Sequence, residues 1–281
     1  MVWLFSRKKI PELSVLEQEL LTGSVKLPQS LKRKLKLLDF EQGWDLTKRT
    51  IPQLDKIKTR SLVRLLFADE TAEILVRLKN RQDVKHAILC LQYLPSREAV
   101  GALVNLLSHQ DKTMQLLAAG ALKNHTPRLV VPCLIDNLLK SEVPPARAGE
   151  VLLAMGYLAQ DALLEAYGWA EPQIKAQILE LLTLSRNPKC EPFLGPALQS
   201  GEPFLRKAAL QAVSVFLFRD LWSEVALCLA DPCWPIKVKS LEVLTKFRAV
   251  EALEMVRPLL ADEDPWVRKA AATYFEVLEV E

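Results

Sequence analysis

The residues able to do chemistry are few and scattered. The three histidines, His86, His109 and His125, fall at a helix start, a turn and a helix end of the pattern set out below, with no His-x-x-x-His pair and no carboxylate at ligand spacing. They read as surface or capping residues. The five cysteines, Cys90, Cys133, Cys190, Cys228 and Cys233, are an odd number without a Cys-x-x-Cys pair, which suits neither a disulfide framework nor a zinc knuckle. They read as small buried hydrophobes in a reducing, cytoplasmic setting. No Gly-rich phosphate cradle and no Gly-x-Ser-x-Gly nucleophile motif occurs. The expectation is a protein that is not an enzyme and holds neither metal nor cofactor.

Charge is the second chemical signal. The chain of 281 residues has a formal charge of +3, but residues 1 to 60 carry 13 Lys or Arg against 7 Asp or Glu, which leaves −3 for residues 61 to 281. The basic runs are Lys32-Arg33-Lys34-x-Lys36 and Lys56-x-Lys58-x-Arg60. Lys32, Arg33, Lys34 and Lys36 are candidates for contact with an anionic surface. Leu31, Leu35 and Leu38, spaced i, i+4, i+7, make the same segment an amphipathic helix with a solvated basic face. No apolar run approaches the ~20 residues of a membrane span. Val2-Trp3-Leu4-Phe5 followed by Ser6-Arg7-Lys8-Lys9 fits the cytoplasmic end of an anchor removed from the chain, the one case in which a membrane would be a partner.

The elements that position these residues follow from an internal repeat. Asp262-Glu263-Asp264-Pro265-Trp266-Val267-Arg268-Lys269-Ala270-Ala271 recurs 31 residues earlier as Asp231-Pro232-Cys233-Trp234-Pro235-Ile236-Lys237. Two further steps of 31 give Pro203-Phe204-Leu205-Arg206-Lys207-Ala208-Ala209 and Pro172-Gln173-Ile174-Lys175. Towards the N-terminus the spacing loosens, at Ala146-Arg147, Met114-Gln115 and Val84-Lys85, with a degenerate unit around Ile57-Lys58. An earlier apolar stretch in each unit, such as Trp222 to Leu229 and Leu253 to Leu260, makes two helices per unit. A lone helix pair cannot bury both apolar stripes, so neighbours must stack and share one core. Half the residues are apolar, a quarter are charged and Gly numbers only 9, as a helix-rich protein with ample core requires.

At these residues the chain resembles the HEAT repeat family, in its short bacterial type with ~30-residue units, whose signature is a turn Asp followed by Pro-x-Val-Arg-x-x-Ala. The resemblance covers roughly residues 80 to 281. It implies an all-α fold, a right-handed α-α superhelical solenoid whose second helices line a concave surface. It also implies an inter-repeat ladder of the turn Asp and the Arg. Asp262 with Arg268 and Asp231 with Lys237 match that pattern, whereas Ser200 and Gln115 depart from it. Residues 1–80 are expected to be an irregular basic helical cap and residues 81–281 the repeat array. Two enzyme classes use similar repeats, alkylpurine DNA glycosylases and phycobilin lyases. The first hold a basic groove with Trp and Asp around an extruded base; here Trp169, Trp234 and Trp266 sit at second-helix starts and read as wedges between units.

The outward positions of the second helices follow from the register: Lys269, Thr273 and Glu276, then Val238, Glu242 and Thr245, then Lys207, Gln211 and Ser214, then Ala176, Glu180 and Thr183. This mixed surface includes acids, whereas nucleic acid calls for a basic stripe. In the middle units the equivalents are Leu116, Gly120 and Lys123, then Ala148, Leu152 and Met155. An apolar patch there suits an amphipathic helix or peptide of another protein. The reading is thus a cytoplasmic protein-protein interaction scaffold, with a nucleic-acid-binding or DNA-repair protein as the alternative.

Overall fold

The computed structural model describes residues 12–78, 80 and 83–279. The membrane-anchor reading of Val2 to Lys9 lies outside them. The described residues form eighteen α-helices joined by turns and short 3-10 segments, with no strand among them. The fold is all-α, built of stacked helix pairs. No helix of the described residues is long and apolar enough to cross a membrane.

The helices form two compact units, Met1–Cys133 and Leu134–Glu281. The first contains α1 (Leu13–Thr22), α2 (Gln29–Leu35), α3 (Phe40–Thr50), α4 (Lys56–Phe67), α5 (Thr71–Arg77), α6 (Val84–Leu91), α7 (Arg97–Asn105) and α8 (Lys112–Leu122). Then comes α9 (Pro127–Leu139). The second unit continues with α10 (Pro145–Ala154), α11 (Tyr157–Tyr167), α12 (Pro172–Leu184), α13 (Glu191–Leu198), α14 (Pro203–Phe216), α15 (Trp222–Leu227), α16 (Trp234–Phe247), α17 (Leu253–Val256) and α18 (Pro265–Glu279).

In the second unit the repeat is visible as packing. Helix α12 packs on α14, α14 on α16 and α16 on α18, while α13 and α15 cover α14 and α16 from the other side. Ile174, Leu205, Ile236 and Val267, each 31 residues after the last, are all buried. A proline stands at the first or second position of each second helix, where the missing N–H leaves no hydrogen bond unmade. Arg186, Leu217 and Arg248, again 31 apart, have φ of 56°, 60° and 51°. This left-handed step after each second helix turns the chain into the next pair, as a C-terminal glycine commonly does. No glycine marked it in the sequence.

The first unit has a leucine core of Leu16, Leu20, Leu27, Leu31, Leu35, Leu46 and Leu62. Asp39 and Gln42 form a capping box at the start of α3. That helix places Trp44 in the interior, stacked on Phe40 with ring centroids 5.6 Å apart. Lys58, from the second basic run, is buried and donates to the carbonyls of Leu20 (3.0 Å) and Gly23 (2.6 Å) at the end of α1. Its positive charge offsets the negative end of that helix.

Candidate functional site

The exposed faces of the second helices are the surface that the repeat builds. On α18, Lys269, Thr273 and Glu276 are exposed. On α16, Glu242 is exposed and Val238 and Thr245 are half-buried; on α14, Lys207 and Gln211 are exposed and Ser214 is half-buried. On α12 the register holds only at Glu180. Ala176 and Thr183 are buried, and Leu184, 69% exposed, takes the outward place.

The middle units divide. On α8, Leu116 (52% exposed), Gly120 and Lys123 lie outward together with Leu117. On α10, Ala148, Leu152 and Met155 are buried, which corrects the outward placement read from the sequence. The spacing between units is not 31 there, and each one-residue error turns a helix position by about 100°. Leu153 is the exposed neighbour. Gly149 explains the close fit of α10 to α12: a Cβ at that position would stand 2.6 Å from Leu181 Cδ2.

Between neighbouring second helices the surface is grooved. Val238, Glu242, Thr245 and Lys246 of α16 face Trp266, Lys269, Ala270 and Thr273 of α18 across a groove of about 480 Å³. Val238, Ala270 and the Trp266 ring make it apolar, and Lys269 Nζ lies 5.9 Å from the centre of that ring. A second groove of about 440 Å³ separates Glu180, Thr183 and Leu184 of α12 from Gln211 and Val215 of α14.

Ion pairs brace this surface from one unit to the next. Arg206 Nε and Nη2 donate to Asp231 at 2.6 and 3.0 Å, both side chains being buried, and Lys237 donates to Asp262 at 2.7 Å. The ladder therefore joins a basic residue to the Asp of the following unit. Arg268, matched to Asp262 in the sequence, instead donates to the backbone carbonyls of Asp262 and Glu263. The hydrogen bond from Lys237 and that from the Asp264 amide hold the Asp262 carboxyl below the usual carboxylate range. In the repeat register Ser200 stands where an acid would pair with Lys175, and Lys175 Nζ lies 5.6 Å from the centre of the Tyr167 ring.

Several single-residue readings change. Trp169, Trp234 and Trp266 are exposed and do not wedge between units; among the described residues the buried tryptophan is Trp44. His109 is exposed and accepts from the Asp111 amide through Nδ1, but His86 and His125 are not surface residues. His86 lies 3.0 Å from Thr47 Oγ and 3.7 Å from Cys90 Sγ, edge-on to Trp44. Burial, with the Lys48 charge next in effect, pushes its pKa down to about 4. Cys90, Cys190 and Cys228 are buried, whereas Cys133 and Cys233 are partly exposed. Burial pushes the Cys190 and Cys228 thiols up to about 11 and the Cys90 thiol further. In the N-terminal basic run, Lys34 pairs with Glu19 at 2.5 Å, and Lys32, Arg33 and Lys36 lie on the surface of α2 and its C-terminal turn, opposite the buried Leu31 and Leu35.

No family model matches the chain, and no curated protein matches it. Solved structures do. An engineered protein is 16% identical over 95% of this chain and 88% of its own, with a TM-score of 0.43. Human deoxyhypusine hydroxylase in complex with glycerol is 16% identical over 96% of each chain, with a TM-score of 0.36. The complex of CpcE and CpcF of phycocyanin lyase from a Nostoc species is 17% identical over 100% of this chain and 99% of that one, with a TM-score of 0.31. Likenesses this distant transfer no activity. They do correct one expectation: a hydroxylase and a lyase are among the similar helical proteins, so missing motifs and a helical repeat give no ground for excluding catalysis, and the reading of this chain as a non-enzyme is withdrawn.

Proposed function

We propose that the chain is a protein-interaction scaffold that receives an amphipathic segment of a partner protein on the exposed faces of its second helices. The observation that carries this reading is the groove between α16 and α18, where Trp266 remains 59% exposed above Val238 and Ala270. Exposed tryptophans over an apolar floor are the usual anchors of protein interfaces, and the surrounding Glu242, Lys246 and Lys269 supply a polar rim of both signs. Two parallel walls of helix suit a helix or an extended peptide that inserts apolar side chains. Glu180, Glu242 and Glu276 on the same faces disfavour a phosphate backbone as the ligand.

A second contact is favoured on α8, where Leu116 and Leu117 are exposed beside Gly120, a position with open space around it. In this reading residues 81–281 act as the binding array, residues 1–80 as its cap, and the protein works in the cytoplasm. The test is a photo-crosslinking amino acid at Thr273, inside the groove, and at Glu254, exposed on α17. A partner captured from Thr273 and not from Glu254 supports the site; equal capture at both positions rejects it.

A further inference from the structure

In a stack of repeats each unit covers a face of the one before it, so the last unit shows the same register positions without a neighbour. Leu198, Leu229 and Leu260 stand 31 residues apart. The first two are 2% and 4% exposed, and Leu260 is 43% exposed. The same break runs along the second helices. Leu179, Leu210 and Leu241 are fully buried where α18 has the half-buried Ala272, and Leu182, Val213 and Leu244 are fully buried where it has the half-buried Phe275. Arg268, Ala272 and Phe275, spaced i, i+4, i+7, lie on one face of α18. That face is distinct from the one carrying Lys269 and Thr273 into the groove, and among the described residues no helix pair follows it.

The second observation is the posture of Arg268. Arg206 occupies the same position two units earlier and uses its guanidinium in two ways. Its Nη1 donates to the carbonyl six residues back, that of Ser200, at 2.7 Å, while Nε and Nη2 take both oxygens of Asp231 in the following unit. Arg268 Nη1 likewise donates to the carbonyl six residues back, that of Asp262, at 2.8 Å, and to that of Glu263 at 2.9 Å. Its Nε and Nη2, the nitrogens that hold the next carboxylate in Arg206, donate to nothing among the described residues. The exposed side chain stands in the pose of a ladder rung. A planar guanidinium fixed at one nitrogen presents the other two as a fork that matches a carboxylate.

Charge selects what that fork can meet. Beside Arg268 the end face carries Arg257, whose guanidinium lies 5.8 Å from the centre of the Phe275 ring and forms an exposed pair with Glu254 at 3.3 Å. Gly195 and Ala226 hold the register place of Arg257 in the two earlier units, so the end of the array differs from its interior by an added cation. Two copies of the chain packed end to end would set these arginines against each other. The chain's own turn acids Asp231 and Asp262 are already held by Arg206 and Lys237. The face therefore favours an acidic partner over a second copy.

We propose that the end face formed by α18 and the turn after α17 receives a helix pair of a different protein, built like this chain's own units, whose turn presents an Asp or Glu to Arg268. The apolar stripe of that pair covers Leu260, Ala272 and Phe275. The template is inside the molecule, where α16 packs on α14 and Asp231 meets Arg206. Docking of this kind lengthens the array, and it lies apart from the α16–α18 groove, so neither reading depends on the other.

The test has two arms. In the first, a copy of residues 218–248, the helix pair that carries Asp231, is joined after Glu279 in place of Val280 and Glu281, as a probe in the register of the repeat. The added unit should raise the melting temperature by several degrees. Arg268→Gln should remove most of the gain, and Arg268→Lys should keep it, since Lys237 serves the same place on Asp262. An extension that leaves the melting temperature unchanged or lower, or a gain indifferent to Arg268→Gln, would overturn the proposal. In the second arm a photo-crosslinking amino acid replaces Leu260 in the native host, and the crosslinked peptide is identified by mass spectrometry. The expected result is a different protein crosslinked within a helix pair beside an acidic turn, lost in an Arg268→Gln variant that melts within a few degrees of the wild type. Capture of no protein, capture of a second copy of this chain, or a crosslinked peptide outside such a helix pair overturns it. Crosslinking from Thr273 reports on the groove alone and keeps failure of one surface distinct from failure of the other.

Discussion

Replacing Asp231 by Asn tests the inter-unit ladder at its most buried rung. Arg206 reaches Asp231 with two nitrogens, at 2.6 and 3.0 Å, and the exposures of the two side chains are 11% and 4%. A third nitrogen of Arg206 donates to the Ser200 carbonyl at 2.7 Å, so the guanidinium is held and cannot simply swing into water. Removing one partner of a buried pair leaves the other charge uncompensated and costs about 3–5 kcal/mol. Asn keeps an acceptor for the Cys233 amide, which Asp231 now binds at 2.8 Å before α16, and loses only the charge. The expected loss is therefore about 3 kcal/mol for Asp231→Asn, with about 1 kcal/mol more for Asp231→Ala through loss of the cap. Replacing both partners, Arg206→Met with Asp231→Leu, should return most of it, because the pair's attraction is largely cancelled by its desolvation. Urea unfolding followed by circular dichroism and by tryptophan fluorescence measures this. The two probes are needed because stacked repeats can unfold in parts. A cost below about 1 kcal/mol for Asp231→Asn, or a double variant as unstable as the single one, would refute the reasoning.

The remaining predictions concern the core, the caps and pH. Val267→Asp, Leu205→Asp and Ile174→Asp should each lower stability by several kcal/mol, since all three positions are buried and offer no partner for a charge; thermal melts of the three should fall together. Leu217→Gly should raise stability by about 1 kcal/mol by relieving the left-handed backbone at φ 60°, read as a higher urea midpoint. Gly120→Ala, in an exposed helical position with open space, should stabilise by about 1 kcal/mol, and it should weaken partner binding if α8 is a contact. His86 has a folded pKa of about 4 against about 6.5 unfolded, so the unfolded chain takes up the proton first and stability falls as pH drops from 6.5 to 4. The loss at pH 5 should be about 2 kcal/mol, with His125 adding in the same direction; a stability profile flat over that range contradicts the assignment.

Much of the fold was legible because the 31-residue period repeats both local and long-range information. A proline at the first or second helix position, then an aliphatic residue at the third and a basic residue at the fourth, name the same position four times, and the buried row from Ile174 to Val267 is the result. The left-handed caps at Arg186, Leu217 and Arg248 share that period but carry no glycine, and only the backbone reveals them. The outward register was legible on α14, α16 and α18, as at Val238, Glu242, Thr245, Lys269 and Thr273. The same 31-residue period misplaces Ala176 and Thr183 of α12, and the sequence points to the middle units and not to this groove for the binding surface. It failed at Ala148, Leu152 and Met155, where the spacing drifts and a small rotation exchanges core for surface. Trp266 was misread because a tryptophan in a turn says nothing of which side of the helix its ring covers.

The most direct test of the scaffold reading is partner capture through the α16–α18 groove in the native host, compared between the wild type and Trp266→Ala. The photo-crosslinker stands at Thr273, and the melting temperature of each variant is measured alongside. Trp266 is largely outside the core, so the substitution should leave the melting temperature within a few degrees while the crosslinked partner band is lost, as truncation of an aromatic anchor costing about 2 kcal/mol or more requires. An undiminished band in a stable Trp266→Ala variant would contradict the assignment of this groove as the binding surface.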